Sequence, residues 1–143
     1  MNEGDVNAPV AEVWNVFSTG EGYKKLGPQL ADMDFRIGGL IRTRYSADGV
    51  LGDDGTIEQE IMAYEPLRLL AVRIHKPPKT FPFKETWKHT WTVITLTDAG
   101  GGKTHVRTTS LGYNDSAEDK AMAAFFKAGN QEVIETLQKA FAQ

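Results

Sequence analysis

Residues 116–141 read Ser-Ala-Glu-Asp-Lys-Ala-Met-Ala-Ala-Phe-Phe-Lys-Ala-Gly-Asn-Gln-Glu-Val-Ile-Glu-Thr-Leu-Gln-Lys-Ala-Phe. Met122, Phe125, Phe126, Gly129, Val133, Leu137 and Phe141 trace one apolar stripe along this segment, as an amphipathic helix requires. Ser116-Ala117-Glu118-Asp119 resembles a capping box, with Asp where Glu or Gln is usual. Gly129 costs about 1 kcal/mol relative to Ala in mid-helix, so it marks a point where something is expected to approach closely. A helix of this length cannot bury its stripe alone, and what precedes it must supply an apolar face.

From Asp34 to Tyr113 the pattern is one of short alternating runs between turn residues. Ile41, Thr43 and Tyr45 share one face of Leu40–Tyr45, and Arg42 and Arg44 share the other, so the arginine face is the wet one. Ser46–Gly55 is turn-rich and leads to a strand at Thr56–Tyr64, and Glu65-Pro66 turns into a strand at Leu67–His75. A proline-stiffened loop, Lys76–Lys84, precedes strands at Glu85–Leu96 and Lys103–Leu111, joined through Asp98-Ala99-Gly100-Gly101-Gly102. Ahead of the strands, Val10, Val13, Trp14 and Phe17 mark a helix that begins near Pro9, with Asn7 or Ala8 at its cap. Glu21–Leu26 is a second short helix, ended by Gly27-Pro28.

An antiparallel meander offers one apolar face, and the long helix offers one apolar stripe. Laying the helix across a curved sheet buries both, which predicts an α+β chain with two short N-terminal helices closing one end. The 143 residues are the length of one domain, 1–143. Strong curvature leaves space between sheet and helix, either filled by aromatics or left as a cavity.

Composition excludes several classes. Zero Cys removes a disulfide scaffold, a cysteine-based zinc site, iron–sulfur ligation and a thiol nucleophile. A net charge of −3 argues against a dedicated nucleic-acid binder. No run approaches the roughly 20 apolar residues of a membrane helix. The start Met1-Asn2-Glu3-Gly4-Asp5 is polar and unlike a signal or transit peptide. Compartment stays open between the cytoplasm and export after signal removal, and both monomer and homodimer fit.

Ala8-Pro9-x-x-x-Val13-Trp14, Asp34-x-Arg36-x-Gly38-Gly39, Tyr64-Glu65-Pro66-x-Arg68-Leu69 and the Gly100-Gly101-Gly102-Lys103-Thr104 hairpin before Val106 occur in that order. In combination they resemble the START-like, or SRPBCC, superfamily over essentially the whole chain. Within it the chain is similar to the Hsp90-ATPase-activator-homologue-1-like and polyketide-cyclase-like bacterial proteins. The resemblance implies the helix-grip fold of Bet v 1-like proteins, a seven-stranded antiparallel sheet wrapped around a long C-terminal helix and enclosing an apolar cavity. It also implies a full strand ahead of the Ala-Pro motif. Only Asn2–Asn7 is available for it, with Val6 its one apolar residue, so either that strand is short and frayed or the sequence starts late.

Several motifs have plain readings. Gly102-Lys103-Thr104 imitates the end of a phosphate-binding loop, but the earlier Gly of that motif would fall at Thr97 and a strand follows, so no nucleotide is expected. Asp48, Asp53, Asp54 and Gly55 fit no register of a calcium loop. Asn114-Asp115-Ser116 is a formal glycosylation sequon, better read as the start of a helix. His75, His89 and His105 have no metal-like spacing, so neither metal nor cofactor is expected. The loop before Trp87 interleaves basic and aromatic residues, yet its prolines and the acidic balance weigh against single-stranded nucleic acid. Its Phe81 and Phe83 are expected to cap a cavity mouth, meet a partner or pack back on the chain.

Glu58 and Glu60 share parity with Met62 and Tyr64, opposite Ile57, Ile61 and Ala63, and alternation does not decide which set is buried. A Glu58 turned inward would have its pKa raised by desolvation, making it a general base or an anchor. His89, between Trp87 and Trp91 on one strand face, is the second acid/base candidate. The expected ligand-binding set is Tyr45, Glu58, Trp87, His89, Trp91, Met122, Phe125, Phe126 and Gly129, with Tyr45, Glu58 and His89 as polar anchors. The expected function is to bind a hydrophobic or aromatic small molecule between sheet and helix. The resemblance implies two alternatives. One is a cyclase- or aldolase-type enzyme in which Glu58 or His89 removes a proton beside a carbonyl and Tyr45 or Thr108 stabilises the enolate. The other is a chaperone-activator-like, partner-binding protein.

Overall fold

The computed structural model of the chain describes residues 1–142. Its strands are β1 (Asn2–Val6), β2 (Leu30–Met33), β3 (Leu40–Arg44), β4 (Ile57–Glu65), β5 (Leu69–Lys76), β6 (Trp91–Gly100) and β7 (Lys103–Leu111). Its helices are α1 (Val10–Ser18), α2 (Gly20–Tyr23) and α3 (Ala117–Ala140), with 3-10 turns at Lys24–Leu26 and Thr86–His89. The strands form one antiparallel sheet in the order β1-β7-β6-β5-β4-β3-β2. It curves around α3, the α+β helix-grip arrangement expected. No helix among the described residues is long and apolar enough to cross a membrane.

The concave face follows from alternation and register. Ile41 and Thr43 are buried, as expected, and across the sheet Ile61, Leu70, Val72, Ile94, Leu96 and Val106 join them. Val13, Val16 and Phe17 of α1 and Leu137 of α3 close the core from the other side. Trp14, Phe35 and Tyr64 stack at its edge, with ring centroids 5.9 and 4.6 Å apart.

Ser116 caps α3 as expected, but the returning bond of the box goes to the Asn114 N–H and not to that of Ser116. Ser116 Oγ accepts the Asp119 N–H at 3.0 Å, while the Asp119 carboxylate reaches back to the Asn114 N–H at 2.5 Å. The buried stripe of α3 is shifted from the expected one: Met122, Ile134 and Leu137 are sealed, whereas Phe125 is 53% exposed. Gly129 meets no close approach, since a Cβ built there finds nothing within 4 Å. The close approach is at Gly4 of β1, where a Cβ would lie 2.9 Å from Ile134 Cγ2.

Four local expectations are corrected. Strand β1 is not frayed, because it pairs with β7 from Asn2↔Thr108 to Val6↔Thr104 and buries Val6 completely. Pro9, not Asn7 or Ala8, holds the cap position of α1, and its carbonyl accepts the Glu12 and Val13 N–H groups. The strand pattern expected from Asp34 onward begins earlier, at Leu30–Met33, and the residues after Asp34 are a turn closed by Arg36 N–H to Asp34 O and Gly39 N–H to Arg36 O. The expected strand Glu85–Leu96 is broken at its start. Glu118 Oε1 accepts the Glu85 and Thr86 N–H groups at 2.8 and 2.7 Å, so these residues coil against α3 instead of joining the ladder.

Candidate functional site

A β-bulge on β4 decides which side chains enter the space between sheet and helix. The register shifts between Ile61 and Ala63, so Ile61 and Tyr64 both turn inward although they differ in parity. Below the bulge Gln59 shares the inward face with Ile61, while Glu58 and Glu60 face out. Glu58 lies opposite Arg42 in the ladder, beside the bidentate Arg42–Asp32 pair at 3.0 and 2.5 Å. Glu60 binds Arg73 at 2.5 Å. Cross-strand charge pairs of this kind favour the solvated face. Glu58 as a cavity base or anchor is therefore corrected: it lines an open depression on the outer surface with Asp32 and Arg42.

His89 is also displaced. With residues 86–89 in a 3-10 turn, Trp87, His89 and Trp91 do not share a strand face. His89 Nδ1 donates to Gly112 O at 2.8 Å, and Nε2 lies 3.6 Å from Asp119 Oδ1. Asp119 is 3% exposed and accepts from the Thr86 hydroxyl at 2.6 Å, the Ser116 hydroxyl at 2.9 Å and the Asn114 N–H. The Thr86 hydroxyl, then the Asn114 amide, hold its carboxyl below the ordinary range. This knot fastens the Thr86–His89 turn and the end of β7 to the first turn of α3.

Of the remaining expected residues, Tyr45 stands beyond the end of β3, 60% exposed, near the Glu132 carboxylate of α3. Met122, Phe126 and Trp91 come together with Gln59, Ile74, Thr92 and Tyr113 around a void between the sheet and α3. That void is about 20 Å³, room for a single water. At this place the structure has a small void where the resemblance implies a large cavity. Met122 and Phe126 line the space that remains, and Phe81 and Phe83 pack onto Phe125 and Phe126.

Phe81, Phe83, Phe125 and Phe126 form an aromatic cap there, with neighbouring centroids 5.4 to 6.4 Å apart and most pairs edge-on. Bonded to Gln59 and Thr92 of the void's lining are polar groups that sequence reading missed. Tyr23 Oη donates to Gln59 Oε1 at 3.2 Å, and burial drives the Tyr23 hydroxyl far above the ordinary tyrosine range. Thr92 Oγ1 lies 3.4 Å from Ser110 Oγ, which also accepts from Asn130 Nδ2 at 3.2 Å. Gln59 had one available signal: it is the uncharged member of Glu58-Gln59-Glu60, in phase with Ile57 and Ile61.

A family model described as polyketide cyclase / dehydrase and lipid transport matches residues 3–142. The chain belongs to that family. No curated protein matches its sequence closely enough to count. Among solved structures, a Mesorhizobium loti protein is similar at 18% identity and a TM-score of 0.71, over 96% of this chain and 92% of its own. The Aha1 dimer from Colwellia psychrerythraea is similar at 15% identity and a TM-score of 0.71, over 98% and 92%. Norcoclaurine synthase from Thalictrum flavum, solved with dopamine and hydroxybenzaldehyde, is similar at 10% identity and a TM-score of 0.60, over 97% and 83%. At these identities the likeness is one of fold.

Proposed function

We propose that this member of the polyketide cyclase / dehydrase and lipid transport family binds an apolar or aromatic small molecule between α3 and the concave face of β4–β6. The observation that carries the reading is the aromatic cap. Phe126 lines the void and at the same time packs against the rings of Phe81 and Phe125, which Phe83 joins, and Phe125 remains more than half exposed. A guest with an aromatic body replaces those contacts when Phe126 swings outward, so the void of about 20 Å³ grows at modest cost. The family description and the aromatic compounds held by the norcoclaurine synthase neighbour support the same reading. The void's lining includes no carboxylate or imidazole, and Glu58 and His89 are engaged elsewhere, so no observation favours the cyclase- or aldolase-type alternative.

Titration with the fluorescent apolar probe N-phenyl-1-naphthylamine tests the proposal. A saturable rise, reversed by naphthalene and lost on unfolding, is the expected result. A signal that stays linear with probe overturns it.

A further inference from the structure

The polar floor of the void has a chemical character of its own. Gln59 points inward from β4, and its Oε1 is taken by the hydroxyl of Tyr23. Tyr23 is set by the α2 segment, which packs beside β2. With the carbonyl end occupied, the N–H₂ end of the amide has no protein partner among the described residues. It is not sealed either, since among the described residues the one buried side-chain polar atom left without a partner is Thr108 Oγ1. Thr92 and Tyr113 also line the void. All of these groups are neutral. Arg73 borders the void, but its guanidinium is held on the outer face by Glu60 at 2.5 Å.

We infer that Gln59, oriented by Tyr23, is the specificity-determining donor of this site, and that the site takes uncharged aromatic molecules bearing an acceptor oxygen, such as aryl ketones. This rests on the binding reading above and says which members of the apolar class are preferred. An amide donor in a lining that also holds Val72, Ile74, Met122 and Phe126 is satisfied by a carbonyl oxygen of the guest and left unpaired by a hydrocarbon that displaces water from it. A carboxylate would shed its hydration without meeting a cation there, a larger penalty than one hydrogen bond repays. Tyr23 is a positioning residue, because it acts through the amide and not on the guest.

Equilibrium dialysis with three probes of similar shape tests the inference: 2-acetonaphthone, 2-isopropylnaphthalene and 2-naphthoate. The ratio of ketone to hydrocarbon affinity is expected to fall about fivefold on Gln59→Leu, the size of one neutral hydrogen bond. Tyr23→Phe should lower the same ratio while leaving hydrocarbon affinity unchanged, which a merely structural role for Tyr23 would not do. Naphthoate should bind the wild type more weakly than the ketone. If Gln59→Leu changes both affinities equally, or naphthoate binds best, the inference is overturned and the binding reading stands. If none of the three binds the folded wild type, both fall together.

Discussion

The Thr86 hydroxyl donates to Asp119 Oδ1 at 2.6 Å across 33 positions of sequence, with both residues sealed from solvent. This bond joins the approach to β6 to the first turn of α3. It sits in the knot that holds the helix over one end of the sheet, with the aromatic cap farther along the same helix.

Replacing Thr86 by Val keeps the shape and removes the donor. The expected cost is about 1–2 kcal/mol, because a buried charged acceptor loses one of its partners. Thr86→Ser should restore most of the loss. The Asp119 carboxyl should move up toward its ordinary value in the Val variant. Its folded-state pKa is depressed, so the stability it contributes is present above the unfolded value and fades as pH falls through the folded one. Urea unfolding between pH 7 and pH 3 reads this as a shallower acid loss in Thr86→Val. An unchanged acid limb would show that the hydroxyl does not hold the carboxylate.

Two glycines, Gly129 within α3 and Gly4 beneath it in β1, should respond with opposite sign. At Gly129 an added methyl group finds open space, so Gly129→Ala gains helix propensity and stabilises by up to about 1 kcal/mol. At Gly4 the methyl group meets Ile134 Cγ2 at 2.9 Å, and Ile134 is buried and β-branched, with little freedom to turn away. Gly4→Ala should therefore destabilise, by about 1–3 kcal/mol, as overpacked cores do. Thermal melts of the two variants check the pair, and the same sign for both would contradict the account.

These responses also show how far the sequence carried. Ile41 and Thr43 against Arg42 and Arg44 could be read directly, because one uninterrupted period of two assigns both faces. Glu58 and Glu60 could not, because the bulge beyond Ile61 makes Tyr64 change sides, and the parity count fails at that step. The turn at Thr86–His89 was illegible for another reason: its backbone donors are satisfied by Glu118, which lies far along the chain. The long helix and its cap were local, and so were legible from Ser116 and Asp119 alone. The volume beneath it was not, since whether Phe126 lines a cavity or fills it depends on where Phe81 and Phe83 fold.

The edge strand should carry a pH signature. His105 Nδ1 lies 2.7 Å from Asp5 and Nε2 2.8 Å from Glu3, so β7 grips β1 through two carboxylates on its outer face, with Arg107 3.8 Å from Glu3. Asp5 first, and Glu3 second, raise the imidazole pKa above its ordinary value. A raised folded-state pKa gives stability that is fully present below the unfolded value of about 6.5 and lost as pH rises through the folded one. His105→Gln should thus cost more at pH 6 than at pH 9 in urea unfolding. The gap should shrink in high salt, because the pairs are exposed. An equal cost at both pH values would mean that the clamp does not depend on the proton.

Phe126 gives the most direct handle on the space between sheet and helix. Its ring belongs both to the cap, 5.4 Å from Phe125 and 6.3 Å from Phe81, and to the lining of the void. Phe126→Ala should cost about 1–3 kcal/mol for a half-buried ring while enlarging the void below it. Stability and binding are then expected to move in opposite directions, with a lower melting temperature and tighter uptake of N-phenyl-1-naphthylamine. Phe125→Ala removes a mostly exposed ring of the same cap and should change uptake less. If Phe126→Ala weakens probe binding as well as folding, the ring is part of the wall that holds the guest instead of the plug that keeps it out, and the opening motion must be sought in Phe81 and Phe83.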